Sequence, residues 1–279
     1  RESVLSRDGG SGAPGGAPGN DRGNRGGGLQ ALTGISTDYA TMPVFRLTDK
    51  LVFPPAHYAD PDGLLAVGGD LSPERLLLAY QQGIFPWYSQ HTPPLWWSPD
   101  PRLVLFLGEL KVSTSLQRVI KKKRFRVTMD EAFLEVIQRC ATAKRREGEG
   151  TWIVPEMVEA YHRLHQLGYA HSVESWEGGE LVGGLYGVVL GRVFFGESMF
   201  ALRSDASKVA FVHLVQLFKQ WRFALIDCQV PTAHLKRFGA REIPRNDFLR
   251  LLSGALAEAD PRHPWSQVLS IPSVPPDFA

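Results

Sequence analysis

An α+β fold, in which a mixed sheet carries flanking helices behind a smaller leading unit, is what the sequence predicts. Three observations predict it. Strand-like stretches at 171–176, 181–189 and 192–200 follow one another with Gly178-Gly179 and Gly191 at the turns, the pattern of an antiparallel meander. Amphipathic helical periodicity brackets that meander on both sides. The chain is 279 residues long and 43% hydrophobic, enough for one or two domains with a real core.

Taken in order, residues 1–37 form a glycine-rich tail, expected to be disordered because it holds too little bulky apolar surface to offset the entropy of ordering. A small N-terminal domain is expected over 38–99. Within it Ser72-Pro73 reads as a helix start, with Leu76, Leu77 and Tyr80 at helical spacing and Gly83 as the stop. The stretches around Phe85-Pro86-Trp87 and Leu95-Trp96-Trp97 are dense in Trp and Pro and read as rigid segments, too rich in Pro for a central strand. The second domain is expected over 100–260. It opens with a strand at 102–107, a basic helix at 113–123 and a short strand at 125–128. Thr128 and Glu131 read as a capping box for a helix carrying Phe133, Leu134, Ile137 and Ala141 on one face. A charged loop over 141–150 precedes a helix at 155–167. After the meander, Asp205 reads as the cap of a helix reaching about 221, followed by a buried strand at 223–230 and a last helix at about 246–258. Two helices, a meander, a helix, a strand and a helix describe a layer of the acetyltransferase-like (GNAT-type) kind. A Pro-rich tail over 261–279 closes the chain.

Composition excludes several classes. Two cysteines, Cys140 and Cys228, exclude a disulfide framework and a Cys-rich zinc site. No apolar run approaches the ~18 residues of a membrane span, and no signal pattern opens the chain, so a cytoplasmic protein without membrane contact is expected. Net charge is +2, so local charge must decide about nucleic acid.

Four local features carry chemistry. The strand Leu225-Ile226-Asp227-Cys228-Gln229 alternates, which puts Asp227 and Gln229 on one face and Cys228 on the other. A carboxylate and an amide in an apolar strand must find partners: a functional pocket, or a hydrogen-bonded brace. Glu197 lies in a second apolar strand, either beside Asp227 in an anionic pocket or paired to Arg203. Trp87, Trp96, Trp97 and Trp152 sit in loop-like segments and serve either as core or as flat surfaces for bases. The nine residues from Arg118 to Arg126 hold Arg118, Lys121, Lys122, Lys123, Arg124 and Arg126 with no acid, a phosphate-attracting run or a solvated helix face. His162 and His165 have no companions at metal-ligand spacing and read as packing residues.

Several segments together resemble one family. Gly63-Leu64-Leu65-Ala66-Val67-Gly68-Gly69-Asp70-Leu71-Ser72-Pro73, Gly83-Ile84-Phe85-Pro86-Trp87, Trp96-Trp97-Ser98-Pro99-Asp100-Pro101-Arg102, Gly150-Thr151-Trp152-Ile153, Ala160-Tyr161-His162-Arg163-Leu164-His165, Gly196-Glu197-Ser198-Met199-Phe200 and Ile226-Asp227-Cys228-Gln229 resemble, in order, segments of the leucyl/phenylalanyl-tRNA–protein transferases of bacteria. The resemblance implies transfer of Leu or Phe, with Met as a further donor, from aminoacyl-tRNA to proteins with N-terminal Arg or Lys, which marks them for N-end-rule degradation. It implies no cofactor and no metal, since the donor ester is already activated, and a monomeric enzyme. By position it implies catalytic roles for Asp227, Gln229 and Glu197. It implies contacts to the aminoacyl-adenosine from Trp87, Trp152, Leu185, Phe194, Tyr80, Tyr161 and Ser198, and to the tRNA arm from Arg118, Lys121, Lys122 and Arg124. The glycine-rich tail has no counterpart in the family pattern, and the loop near 144–149 is slightly long.

The mechanism expected on these grounds has Asp227, at the cavity and helped by Gln229, orienting and desolvating the acceptor amine while Glu197 binds the cationic acceptor. Two rival readings exist. A CoA-dependent N-acetyltransferase would need a glycine-rich pyrophosphate turn, and the residues after Phe200 hold no glycine and include Asp205. A non-catalytic tRNA-binding module would leave the buried acids unexplained.

Overall fold

A computed structural model describes residues 44–143, 153–258 and 265. The glycine-rich tail, the charged loop over 144–152 with Trp152, and the C-terminal tail apart from Trp265 lie outside the described residues.

The chain begins with β1 (Phe45–Leu47) and β2 (Leu64–Gly68), then α1 (Pro73–Gln81). The expected start of α1 is present: the Ser72 hydroxyl accepts from the Arg75 N–H, and Pro73 occupies the first turn. Gly83, at φ +72°, turns the chain out of the helix and into β3 (Phe85–Pro86) and β4 (Leu95–Trp97). These four strands form one sheet in the order β1-β2-β4-β3. This corrects the expectation that the Trp- and Pro-rich stretch holds no central strand. The three residues of β4 contain no Pro and sit centrally, whereas Pro86 falls on the edge strand β3, where its missing N–H leaves no ladder bond unmade.

The larger sheet uses β5 (Arg102–Phe106), β6 (Arg126–Met129), β7 (Ala170–Glu177), β8 (Glu180–Leu190), β9 (Val193–Ala201), β10 (Leu225–Gln229) and β11 (Arg241–Ile243). Their order is β11-β5-β10-β9-β8-β7-β6. The meander β7-β8-β9 is antiparallel as expected. The strand β10 joins it parallel to β9 and antiparallel to β5, which makes the sheet mixed. The helices are α2 (Thr114–Lys121), α3 (Phe133–Thr142), α4 (Pro155–Gln166), α5 (Ala206–Gln220), α6 (Ala233–Arg237) and α7 (Arg245–Ala257). Neither α6 nor β11 was expected, because each is too short to show a period in the sequence. Among the described residues no helix is long and apolar enough to cross a membrane.

The capping box at α3 is absent. Thr128 is a strand residue whose hydroxyl donates to Glu174, and Glu131 pairs with Arg126 at 3.0 Å. The helix N-terminus is instead met by the buried Glu174, which accepts from the Ala132 N–H. A side chain 42 residues downstream can take over a cap because the fold brings β7 alongside β6.

Two apolar clusters hold the layers. Residues of α1, α3, α4 and α7 meet the small sheet and one face of the large sheet. Residues of α2 and α5 meet the other face. Alternation along β9 and β10 therefore sends Phe195 toward the first cluster and Phe194, Ile226 and Cys228 toward the second. The strands β9 and β10 pair only over Val193–Phe195 and Leu225–Asp227. Beyond that β9 runs on to Ala201, while β10 breaks register at Asp227/Gln229 and ends. The sheet parts there.

Candidate functional site

At the parting lies a cavity of about 560 Å³. Its apolar wall includes Leu185, Phe194, Met199, Phe211 and Ile226, and its polar end is made by Glu197, Ser198 and Gln229. Gly187 shapes the wall from behind. A Cβ at that position would overlap the Phe195 carbonyl and the Phe194 ring, so only glycine lets Phe194 lie where it does. Phe194 is in turn held by Phe218 of α5, ring centroids 5.3 Å apart.

Glu197 is almost completely buried and accepts from three side-chain donors. Its Oε1 accepts from the Tyr80 hydroxyl at 2.7 Å and from Gln229 Nε2 at 2.8 Å, and the Tyr161 hydroxyl meets its Oε2 at 3.0 Å. The two tyrosine hydroxyls touch each other at 2.5 Å. Burial pushes the Glu197 carboxyl up to about 7, against the pull of its three hydrogen bonds, and the nearby Asp227 charge adds to the rise. Burial, followed by the Glu197 charge, raises both tyrosines well above their ordinary value, so they stay protonated. Three contacts join Tyr80, Tyr161 and Glu197, and two hydroxyls bring two protons. In the neutral state a proton on Glu197 completes the triangle.

Asp227 does not stand where the expectation placed it. Its carboxylate is completely buried and takes two bonds from Arg102, Nε to Oδ1 at 2.8 Å and Nη2 to Oδ2 at 2.7 Å. Arg102 is itself enclosed between the rings of Phe85 and Phe248, each 4.7 Å from the guanidinium carbon, and donates to the Gly83 carbonyl. Asp227 is absent from the cavity wall, which Ile226, Cys228 and Gln229 line. Simple alternation would have kept Asp227 and Gln229 together. The register shift, with Gln229 at φ +61°, swings the Gln229 side chain to the cavity and leaves Asp227 behind. The link that survives is a brace: the Gln229 N–H donates to Asp227 Oδ1 at 2.9 Å. The expectation that the Asp227 carboxylate stands at the cavity is therefore corrected: it lies behind the wall, bound to Arg102 and to the Gln229 N–H.

Tyr80 and Tyr161 are likewise sealed and absent from the wall, and their hydroxyls meet it at Glu197. Trp87 stands on the rim, 40% exposed, and its carbonyl receives the Trp97 indole N–H at 2.6 Å. Arg203, the alternative partner for Glu197, lies instead 3.8 Å from Glu177. Cys228 lines the cavity, but burial raises its thiol, which removes it as a nucleophile. His162 and His165 stack on Phe133 as packing residues.

The basic run is divided. Arg118, Lys121 and Lys122 are exposed and have no acidic partner among the described residues. Arg124 is taken up by Glu177 at 2.7 Å, and Arg126 by Glu131.

Sequence reasoning gave Arg102 and His234 no role. An arginine opening an apolar strand is a signal, since burial would oblige it to find an acid. His234 lies on α6, bordering the cavity, and nothing in its local sequence marks it.

A family profile described as "Leucyl/phenylalanyl-tRNA protein transferase" matches residues 104–253, and that of its N-terminal domain matches 69–100. The chain is 66% identical over 224 residues to a leucyl/phenylalanyl-tRNA–protein transferase of Syntrophobacter fumaroxidans, covering 80% of this chain and 96% of the relative. It is 62% identical to one from Anaeromyxobacter sp. (strain Fw109-5), covering 80% and 95%. A solved GCN5-related N-acetyltransferase-like protein from Streptococcus suis is 12% identical over 58% of this chain and 59% of its own, with a TM-score of 0.29, too distant to carry an argument.

Proposed function

The chain belongs to the leucyl/phenylalanyl-tRNA–protein transferases, enzymes that carry an aminoacyl group from tRNA to a protein, and from that premise we propose that its acceptors begin with Arg or Lys and that its products enter N-end-rule degradation.

The observation that carries the reading is the apolar cavity closed at one end by Glu197 and Gln229. Its volume suits a leucyl or phenylalanyl side chain with part of the adenosine. A wall of Leu185, Phe194 and Met199 rewards apolar side chains and rejects charged ones, which would lose hydration without gaining partners. Trp87 on the rim is suited to stacking on the adenine.

The reaction is aminolysis of an ester. The α-amine nitrogen attacks the ester carbonyl, a C–N bond forms, the bond to the ribose oxygen breaks, and a proton passes from nitrogen to that oxygen. A free α-amine titrates near 8, so roughly a tenth is uncharged at pH 7. Positioning is then the larger contribution, of order ~7–11 kcal/mol in the best cases. In our reading Gln229, held by Asp227 through its N–H and by Glu197 through its amide, fixes the polar end of the cavity. Glu197 binds the incoming ammonium and accepts its proton. The Tyr80–Tyr161 pair keeps Glu197 aligned in both protonation states.

The test is transfer of labelled leucine from purified leucyl-tRNA to an Arg-initiated peptide, with an Asp-initiated peptide as control. Selective labelling of the Arg peptide is expected. Equal labelling of both overturns the acceptor assignment, and labelling of neither overturns the function.

A further inference from the structure

A second cationic feature lies beside the cavity, separate from the basic helix α2. His234 and Leu235 of α6 and Phe211 of α5 belong to the cavity wall. Residues three apart on a helix share a face. Arg237 therefore lies one turn beyond His234, and Lys208 one turn before Phe211, each just outside the residues that line the cavity. His234 ties the two together, since burial and then the charges of Lys208 and Arg237 lower its pKa.

The charge at this rim is not cancelled. Lys208 is held by Asp205 at 2.7 Å and Lys236 by Glu242 at 3.0 Å. Arg237 is exposed and has no carboxylate partner among the described residues. Glu197, at the polar end of the cavity, is held by Tyr80, Tyr161 and Gln229. The rim thus carries a guanidinium free to take an anion, next to a cavity whose interior is apolar.

We propose that Arg237 binds the 5′-phosphate of the donor's terminal nucleotide and so seats the esterified adenosine in the cavity. The proposal rests on the transferase reading. An aminoacyl-adenosine inside the cavity must bring its phosphate out at the mouth, and a guanidinium fork suits a phosphate better than an ammonium does. This contact orients the reacting end of the donor, whereas charges on α2 contribute attraction remote from the chemistry.

The experiment compares three donors that differ in phosphate: 3′-O-phenylalanyl-adenosine, the same compound with a 5′-phosphate, and phenylalanyl-tRNA. Transfer to an Arg-initiated peptide is measured as kcat/KM for wild type, Arg237→Ala and Arg237→Glu. In wild type the added phosphate should raise kcat/KM at least fivefold. Arg237→Glu should lower it at least tenfold for the two phosphate-bearing donors and less than twofold for the bare nucleoside. Arg237→Ala should fall between. An equal loss on all three donors, or no loss on any, overturns the proposal while leaving the transferase reading intact. Absence of transfer from every donor by the wild type overturns the reading beneath it. Arg237 is exposed, so neither substitution threatens the fold.

Discussion

Arg102 and Asp227, 125 residues apart in the chain, form a two-pronged ion pair from which water is excluded on every side. The pair stands directly behind the residue that reaches the cavity, because the Gln229 N–H ends on the same carboxylate.

Removing one partner leaves a buried charge without its counterion. Arg102→Met or Asp227→Leu should each destabilise the protein by about 3–5 kcal/mol, read from urea unfolding. The double variant Arg102→Met/Asp227→Leu should recover much of that loss, because a buried ion pair exchanged for apolar side chains is often neutral. Additive losses would show that the two residues act separately.

Asp227→Asn distinguishes a brace from a base. A base that touches the amine would lose its function altogether, whereas a brace that still accepts the Gln229 N–H through the amide oxygen should keep part of it. Single-turnover transfer is expected to fall less for Asp227→Asn than for Gln229→Ala. A collapse of Asp227→Asn below Gln229→Ala would restore the direct role.

Glu197 should make stability and, in the proposed mechanism, rate depend on pH. Its folded value of about 7 lies above the ordinary 4.5, so between those two values the folded state holds a proton that the unfolded chain has released. Its contribution is complete below pH 4.5, declines as pH rises to 7, and is lost above, by about 3 kcal/mol in total. Glu197→Gln should flatten that slope in urea titrations at pH 5 and 8. Transfer should climb through pH 7 in wild type as the carboxyl ionises. A climb of the same midpoint in Glu197→Gln would assign it to the acceptor amine instead.

If the cavity holds the aminoacyl group, as proposed, its wall should set donor size. Leu185→Trp inserts an indole into the wall and should reduce phenylalanine transfer at least tenfold with little change in melting temperature. Undiminished phenylalanine transfer would remove Leu185 from the aminoacyl pocket.

The divided basic run predicts unequal charges. Arg118→Glu or Lys121→Glu should weaken tRNA binding and reduce the salt slope by about one unit per neutralised contact. Arg124→Ala should matter less, since Glu177 already occupies that guanidinium. Equal effects would show that the Arg124–Glu177 pair opens on binding.

Much of this protein is legible before any coordinates. Ser72 and Pro73 announce α1, the glycines of the meander announce β7–β9, and the polar residues Glu197 and Gln229 stand out against apolar strands. These signals are local: a cap, a turn or a two-residue alternation is written within a few positions. The large errors came where a local rule met a distant partner. Thr128 looked like a cap until β7 brought Glu174 to the same helix end. Asp227 and Gln229 looked like neighbours on one face until a register shift separated them.

By itself, the sequence determined the α+β class, the order of most elements, the apolar strands that build the cavity and the family to which they belong. The tertiary structure alone decided which acid faces the cavity. Alternation is a property of one strand, but the partner that satisfies a buried charge comes from anywhere in the fold, and Arg102 claimed Asp227 while two tyrosines and an amide held Glu197 at the cavity.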